Sequence, residues 1–143
     1  MLGFGRAVDS ARWESDDTVI VKAIRILLVD DQSSVRRGLA MRLQLEPDIT
    51  VVGEAEDGIA AVEAAESLQP DVLVMDYEMP GMDGIQATKA LADLGSESRV
   101  VMLSIHDNPG VKQAAASAGV HAFVAKHQPS EALLAAIRSA VGQ

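Results

Sequence analysis

Residues 71–84 read DVLVMDYEMPGMDG. Four apolar side chains, Val72 to Met75, run straight into Asp76, and Pro80-Gly81 follows at once. A short run rich in Val and Leu reads as a buried strand, and Pro-Gly marks the turn beyond it. This strand delivers a bare carboxylate to its end. Burying a charge is costly unless it meets a partner or a metal, so the rest of the chain has to supply one.

Working outward, the same kind of run recurs. IRILLV, ITVVGEA, RVVMLS and HAFVA join DVLVM as five short apolar segments, each too short to be a helix. Between them lie stretches with helical spacing. Val35, Leu39 and Leu43 share one face, as do Ile59, Val62 and Leu68, then Ile85, Thr88 and Leu91. Val111, Ala115 and Ala118 follow, with Gly119 placed to end that helix. The last helix opens with Pro129 at its first position and carries Leu134, Ile137 and Val141 on one face. Five strand–helix pairs imply an α/β fold, a parallel sheet covered by helices on both faces. Ligands in such open sheets sit beyond the carboxyl ends of the strands. The residues to read there are Asp30 and Asp31, Asp76, Ser104 and Lys126.

Three carboxylates, one hydroxyl and one ammonium therefore converge at one edge. Two carboxylates ~4 Å apart repel by ~4 kcal/mol at an effective dielectric of 20. Lys126 supplies a single positive charge. A hard divalent ion with oxygen ligands complements the rest, and Mg²⁺ suits a site that accepts phosphate oxygens. Carboxylates also form covalent phosphoryl intermediates, which makes Asp76 a nucleophile for phosphoryl transfer, a reaction that needs chiefly positioning and charge stabilisation. Taken singly, Asp30-Asp31 reads as a helix cap, Asp76 as a turn residue and Lys126 as a solvated strand end. It is their joint placement that carries the chemistry. His106, His121 and His127 lack ligand spacing and read as surface or strand-end residues.

The totals set the frame. The chain has 143 residues, of which 48% are hydrophobic, the scale of one domain with a real core. There is no uninterrupted apolar stretch of membrane length. No cysteine is present, which excludes disulfides and thiolate metal sites and suits the cytoplasm. A formal charge of −9 argues against this chain binding nucleic acid by itself. Residues 1–23 show no clear period and read as a flexible N-terminal extension to a domain at 24–141; TVIVKA is a lead-in to the first strand, and Phe4 and Trp13 have no assignable role. GFGRAV completes no nucleotide-binding fingerprint.

VDDQ, VMDYEMPGMDG, VVMLS and FVAK, in this order, resemble the receiver domain of bacterial two-component response regulators. VDDQSSVRRGLAMRL and LLAAIR look most like its LuxR/NarL-type subfamily, which usually carries a helix-turn-helix effector after the receiver. The resemblance implies a flavodoxin-like, doubly wound five-stranded sheet of order 2-1-3-4-5. It implies a signalling switch rather than an enzyme, with only slow self-catalysed phosphotransfer and dephosphorylation. Asp76 would be the phosphoacceptor, charged by a sensor histidine kinase. Asp31, Asp76 and the main-chain carbonyl of Glu78 would ligate Mg²⁺, and Asp30 would hold a metal-bound water. Ser104 and Lys126 would contact the phosphoryl group, and Phe123 would be the aromatic that turns inward with Ser104 on activation. Pro80 and Gly84 would shape the loop that opens the third helix. The output surface would be the fourth helix, fifth strand and fifth helix, roughly residues 109 to 141, which a homodimer would use. The small buried face of the fourth helix makes it the element expected to open first.

Two features depart from the family pattern. His127, not proline, follows Lys126, so the bond there is expected to be trans. The chain ends at Gln143, just after the fifth helix, with no effector in it. That leaves a receiver cut from a longer transcriptional regulator, which would reach DNA only through its effector, or a stand-alone receiver acting through protein partners. A haloacid-dehalogenase-type phosphatase is the rival from another class, but it needs an Asp two residues after its nucleophile, and Glu78 and Gln32 stand at those positions. A pseudo-receiver scaffold is the third reading, disfavoured by the intact acidic set.

Overall fold

Each apolar run becomes a strand and each periodic segment the helix after it. The chain runs β1 (Ile24–Val29), α1 (Ser33–Leu43), β2 (Ile49–Ala55), α2 (Gly58–Leu68), β3 (Val72–Asp76), α3 (Gly84–Asp93), β4 (Arg99–Ser104), α4 (Pro109–Ala118), β5 (Ala122–Ala125) and α5 (Ser130–Ala140). The structure is a computed structural model that describes residues 22–106 and 108–143. The reading of residues 1–21, with Phe4 and Trp13, lies outside the described residues. All strand pairs are parallel and the order is β2-β1-β3-β4-β5, as the resemblance implied.

Alternation along the strands feeds two cores. Ile24, Ile26 and Leu28 of β1 face α1 and α5, where they meet Leu43, Leu134 and Ile137. Leu27 and Val29 face the other way, toward Ala61, Ala87, Leu91 and Ala115 of α2, α3 and α4. The central strand β3 is buried along its whole length, because helices cover both its faces.

Four expectations shift. Ile59 is 62% exposed; the face α2 buries is Gly58, Ala61 and Ala65, with Val62 and Leu68 flanking it. Small residues let that helix lie close to the sheet, and apolar size alone misplaces its inward face. Pro129 is the residue before α5 rather than its first, and Val141 caps the helix at the surface instead of completing its buried stripe. β5 starts at Ala122, one residue after His121. Other details stand as read. Gly119 ends α4 at φ 100°, a left-handed conformation that glycine adopts freely. Among the described residues no peptide bond is cis, and no helix is long and apolar enough to cross a membrane.

The chain diverges around the boundary between β1 and β3. β1 is followed to β2 on one side, β3 leads to β4 and β5 on the other, and the carboxyl ends of β1 and β3 share a crevice. The turn after β3 is held by α3. Asp83 and Gln86 form a reciprocal capping box, each side chain meeting the other's backbone N–H at 2.8 and 2.9 Å. Gly84, the first residue of α3, packs so close to β3 that a Cβ there would lie 2.6 Å from the Asp76 carbonyl oxygen. Only glycine allows that approach.

Candidate functional site: an acidic pocket at the carboxyl edge

Register brings the acids together. Val29 pairs with Met75, so the next residues, Asp30 just past β1 and Asp76 at the end of β3, follow from neighbouring strands. Both are buried, at 2% and 6% exposure, while Asp31 in the following turn is exposed. One carboxylate oxygen from each of Asp30, Asp31 and Asp76 lies within 4.8 Å of the others. Lys126 follows β5, two strands away from β3, and its long side chain reaches back to the acids. Its Nζ lies 3.3 Å from Asp30 Oδ2 and 3.2 Å from Asp76 Oδ1.

The other expected residues fall around this centre. Ser104 ends β4 and comes directly after Leu103, the register partner of Asp76. It is buried, and its Oγ accepts a hydrogen bond from the His106 backbone N–H at 2.8 Å. The Glu78 backbone N–H points to Asp76 Oδ1 at a long 3.4 Å. Phe123 pairs with Met102 across β4–β5 and packs, half-buried, against the core that contains Met75 and Met102. His106 is a partly exposed residue, as its sequence position suggests, but it has a partner that sequence does not reveal. Its Nε2 lies 2.6 Å from Glu78 Oε2, and its ring meets Tyr77 edge-on at 6.3 Å. These contacts join the loop after β3 to the loop after β4.

The electrostatics of the acids and the lysine differ in a telling way. Burial pushes the Asp76 carboxyl above its usual range; the Lys126 ammonium pulls it back, and the Asp30 charge raises it again. Burial alone would lower the Lys126 value, but Asp76 and Asp30 together outweigh it and hold the ammonium above its usual range. The two partners disagree because the lysine has two anions to itself, whereas Asp76 shares one cation. Three carboxylates against one ammonium leave an excess of hard, anionic oxygen, which matches a divalent cation with oxygen ligands. The residue set therefore fits a metal of the magnesium type.

The model for "Response regulator receiver domain" matches residues 26–138. LiaR of Bacillus subtilis, a transcriptional regulatory protein, is 40% identical over 117 residues, covering 82% of this chain and 56% of that protein. The receiver domain of the response regulator NarL from Mycobacterium tuberculosis superposes with a TM-score of 0.80 at 36% identity, covering 85% of this chain and 99% of that one. RcsB from Salmonella enterica, bound to promoter rprA with the phosphomimetic BeF3⁻, superposes at 0.76 and 25% identity, covering 84% and 61%. The chain spans about half the length of the regulators it matches in sequence, 56% for LiaR and 53% for the nitrate/nitrite regulator NarL of Escherichia coli. None of these relatives supports the phosphatase reading. The chain belongs to the response regulator receiver domain family, the phosphorylation-dependent switches of two-component signalling, and stands with its LuxR/NarL-type members.

Proposed function

We propose that Asp76 accepts a phosphoryl group from the phosphohistidine of a sensor kinase, and that the acidic pocket is the site of that transfer. The observation that carries this reading is the Lys126 ammonium bridging buried Asp30 and Asp76 beside Asp31. An Asp76 carboxylate oxygen forms the new bond to phosphorus as the phosphorus–nitrogen bond of the phosphohistidine breaks, and the imidazole leaves with that electron pair. Asp31, Asp76 and the Glu78 carbonyl would hold Mg²⁺, with Asp30 reaching it through water. When bound, the ion neutralises charge on the phosphoryl oxygens. Lys126 turns from the carboxylates to one phosphoryl oxygen, and the Ser104 hydroxyl donates to another. Slow loss of the group to water, aided by the same residues, resets the switch.

Phosphorylation adds about −1.5 to −2 charge at the sheet edge. Ser104 then moves toward the new oxygens, Phe123 turns further into the core, and the α4-β5-α5 face changes partner or dimerises. This chain spans only about half the length of the regulators it matches, and one similar structure is bound to a promoter. That supports a DNA-binding effector as the output, joined to a cytoplasmic receiver at 24–141 that follows an N-terminal extension.

The test is labelling with a small acyl phosphate donor and Mg²⁺. The reading expects a self-limiting, base-labile single equivalent that Asp76→Asn abolishes. Undiminished labelling of the variant moves the acceptor elsewhere, and steady turnover of phosphate esters makes the chain a phosphatase.

A further inference from the structure

The main-chain carbonyl between Asp30 and Asp31 has a dedicated partner. Arg36, one turn into α1, donates from Nη1 to the Asp30 carbonyl oxygen and from Nε to Glu54 Oε1 at 2.8 Å. Its side chain is 16% exposed, so the guanidinium is largely withdrawn from water. Glu54 lies near the end of β2, next to Ala55, whose carbonyl receives the Asp30 backbone N–H at 3.1 Å. One side chain thus ties the end of β1, the first helix and the end of β2 together.

The Asp30 carboxylate is already fixed from two sides, by the Gln32 backbone N–H at 2.9 Å and by Lys126. Among the described residues the Asp31 carboxylate takes part in no hydrogen bond or ion pair, so its position follows its backbone. The peptide joining the two acids sets where Asp31 stands relative to Asp30, and Arg36 holds that peptide's oxygen. We infer that Arg36 is a positioning residue that presets Asp31 for the divalent cation. This rests on the reading of Asp30, Asp31 and Asp76 as the metal-holding set.

Glu54 makes the arrangement work electrically. A bare guanidinium beside an acidic pocket repels the cation the pocket is to hold. Paired at 2.8 Å with Glu54, Arg36 supplies geometry with its charge offset locally. The two roles an arginine could play here have opposite signs. Removing a guanidinium that acted only by charge would tighten divalent binding; removing one that positions Asp31 would weaken it.

The experiment titrates MgCl2 into the full chain by calorimetry at fixed ionic strength, with thermal unfolding recorded in parallel. Arg36→Gln should bind Mg²⁺ about ten-fold more weakly, the scale seen when an outer-shell partner of a metal ligand is lost. Arg36→Lys keeps the charge but cannot span both oxygens, so it should weaken binding too; it also decides the matter if Arg36→Gln does not fold. Unchanged or tighter binding in the folded variants overturns the inference. Asp31→Asn separates the two levels. If it binds Mg²⁺ like the wild type, the acidic-pocket reading itself fails; if it loses Mg²⁺ while the Arg36 variants keep it, only the role of Arg36 falls.

Discussion

Replacing Asp76 by Asn should stabilise the metal-free protein, although it removes a salt bridge. At an effective dielectric of 20, the contact with Lys126 at 3.2 Å attracts by about 5 kcal/mol. At no more than 4.8 Å, Asp30 repels the same carboxylate by at least about 3.5 kcal/mol. Asp31 adds to that, reduced by its exposure to solvent and salt. Attraction and repulsion come close to cancelling, so burial at 6% exposure sets the sign. Asn keeps the shape and an oxygen for Lys126 while removing the charge. The expected gain is about 1–2 kcal/mol, the scale of one imperfectly compensated buried polar group, or roughly 3–10 °C in Tm for a domain this size.

The pH dependence follows from the raised Asp76 value. The folded state holds this proton more tightly than the unfolded chain does, so ionisation of Asp76 subtracts stability. The penalty is absent below the ordinary value of 3.8 and complete above the folded-state value. The advantage of the variant should therefore be greatest above the folded-state value and shrink as pH falls through it toward 3.8. The assay is thermal unfolding of both proteins in EDTA across pH, then with excess Mg²⁺. Magnesium should raise the wild-type Tm by binding the folded state alone and move the variant less. A variant that unfolds at or below the wild-type temperature in EDTA at neutral pH would refute the charge accounting.

Two further outcomes test the scaffold. Gly84→Ala places a Cβ 2.6 Å from the Asp76 carbonyl oxygen, where backbone must give way; a loss of about 1–3 kcal/mol is expected in chemical denaturation, and wild-type stability would contradict the packing. Arg138 holds Asp48 through both its carboxylate oxygens, at 2.8 and 2.9 Å, and draws that carboxyl below its usual range chiefly through these hydrogen bonds. Arg138→Ala should lose about 1 kcal/mol at neutral pH. Because a lowered value stabilises above the unfolded one, 3.8, and is lost as pH falls through the folded one, the deficit should close in acid. A pH-independent deficit would argue against the ion pair.

Much of this molecule is legible in its sequence because strand-end residues are fixed by topology. Once five apolar runs are read as parallel strands, Asp30, Asp76, Ser104 and Lys126 fall at one edge without further information. Ile59 was misplaced because α2 buries small residues, and periodicity scored by apolar bulk cannot see a helix packed closely through Gly58, Ala61 and Ala65. Arg36 and the His106–Glu78 pair were illegible for another reason. Each depends on a distance between segments remote in sequence, 18 residues for Arg36 to Glu54 and 28 for His106 to Glu78. No local spacing encodes such contacts.

The most direct test is to find which atom carries the phosphoryl group. Protein phosphorylated by a small acyl phosphate donor in Mg²⁺ is reduced with borohydride, which converts an aspartyl phosphate to homoserine, and its peptides are sequenced by mass spectrometry. The account expects homoserine at position 76. Homoserine at Asp30 or Asp31, or a phosphate that survives reduction on another residue type, would contradict it.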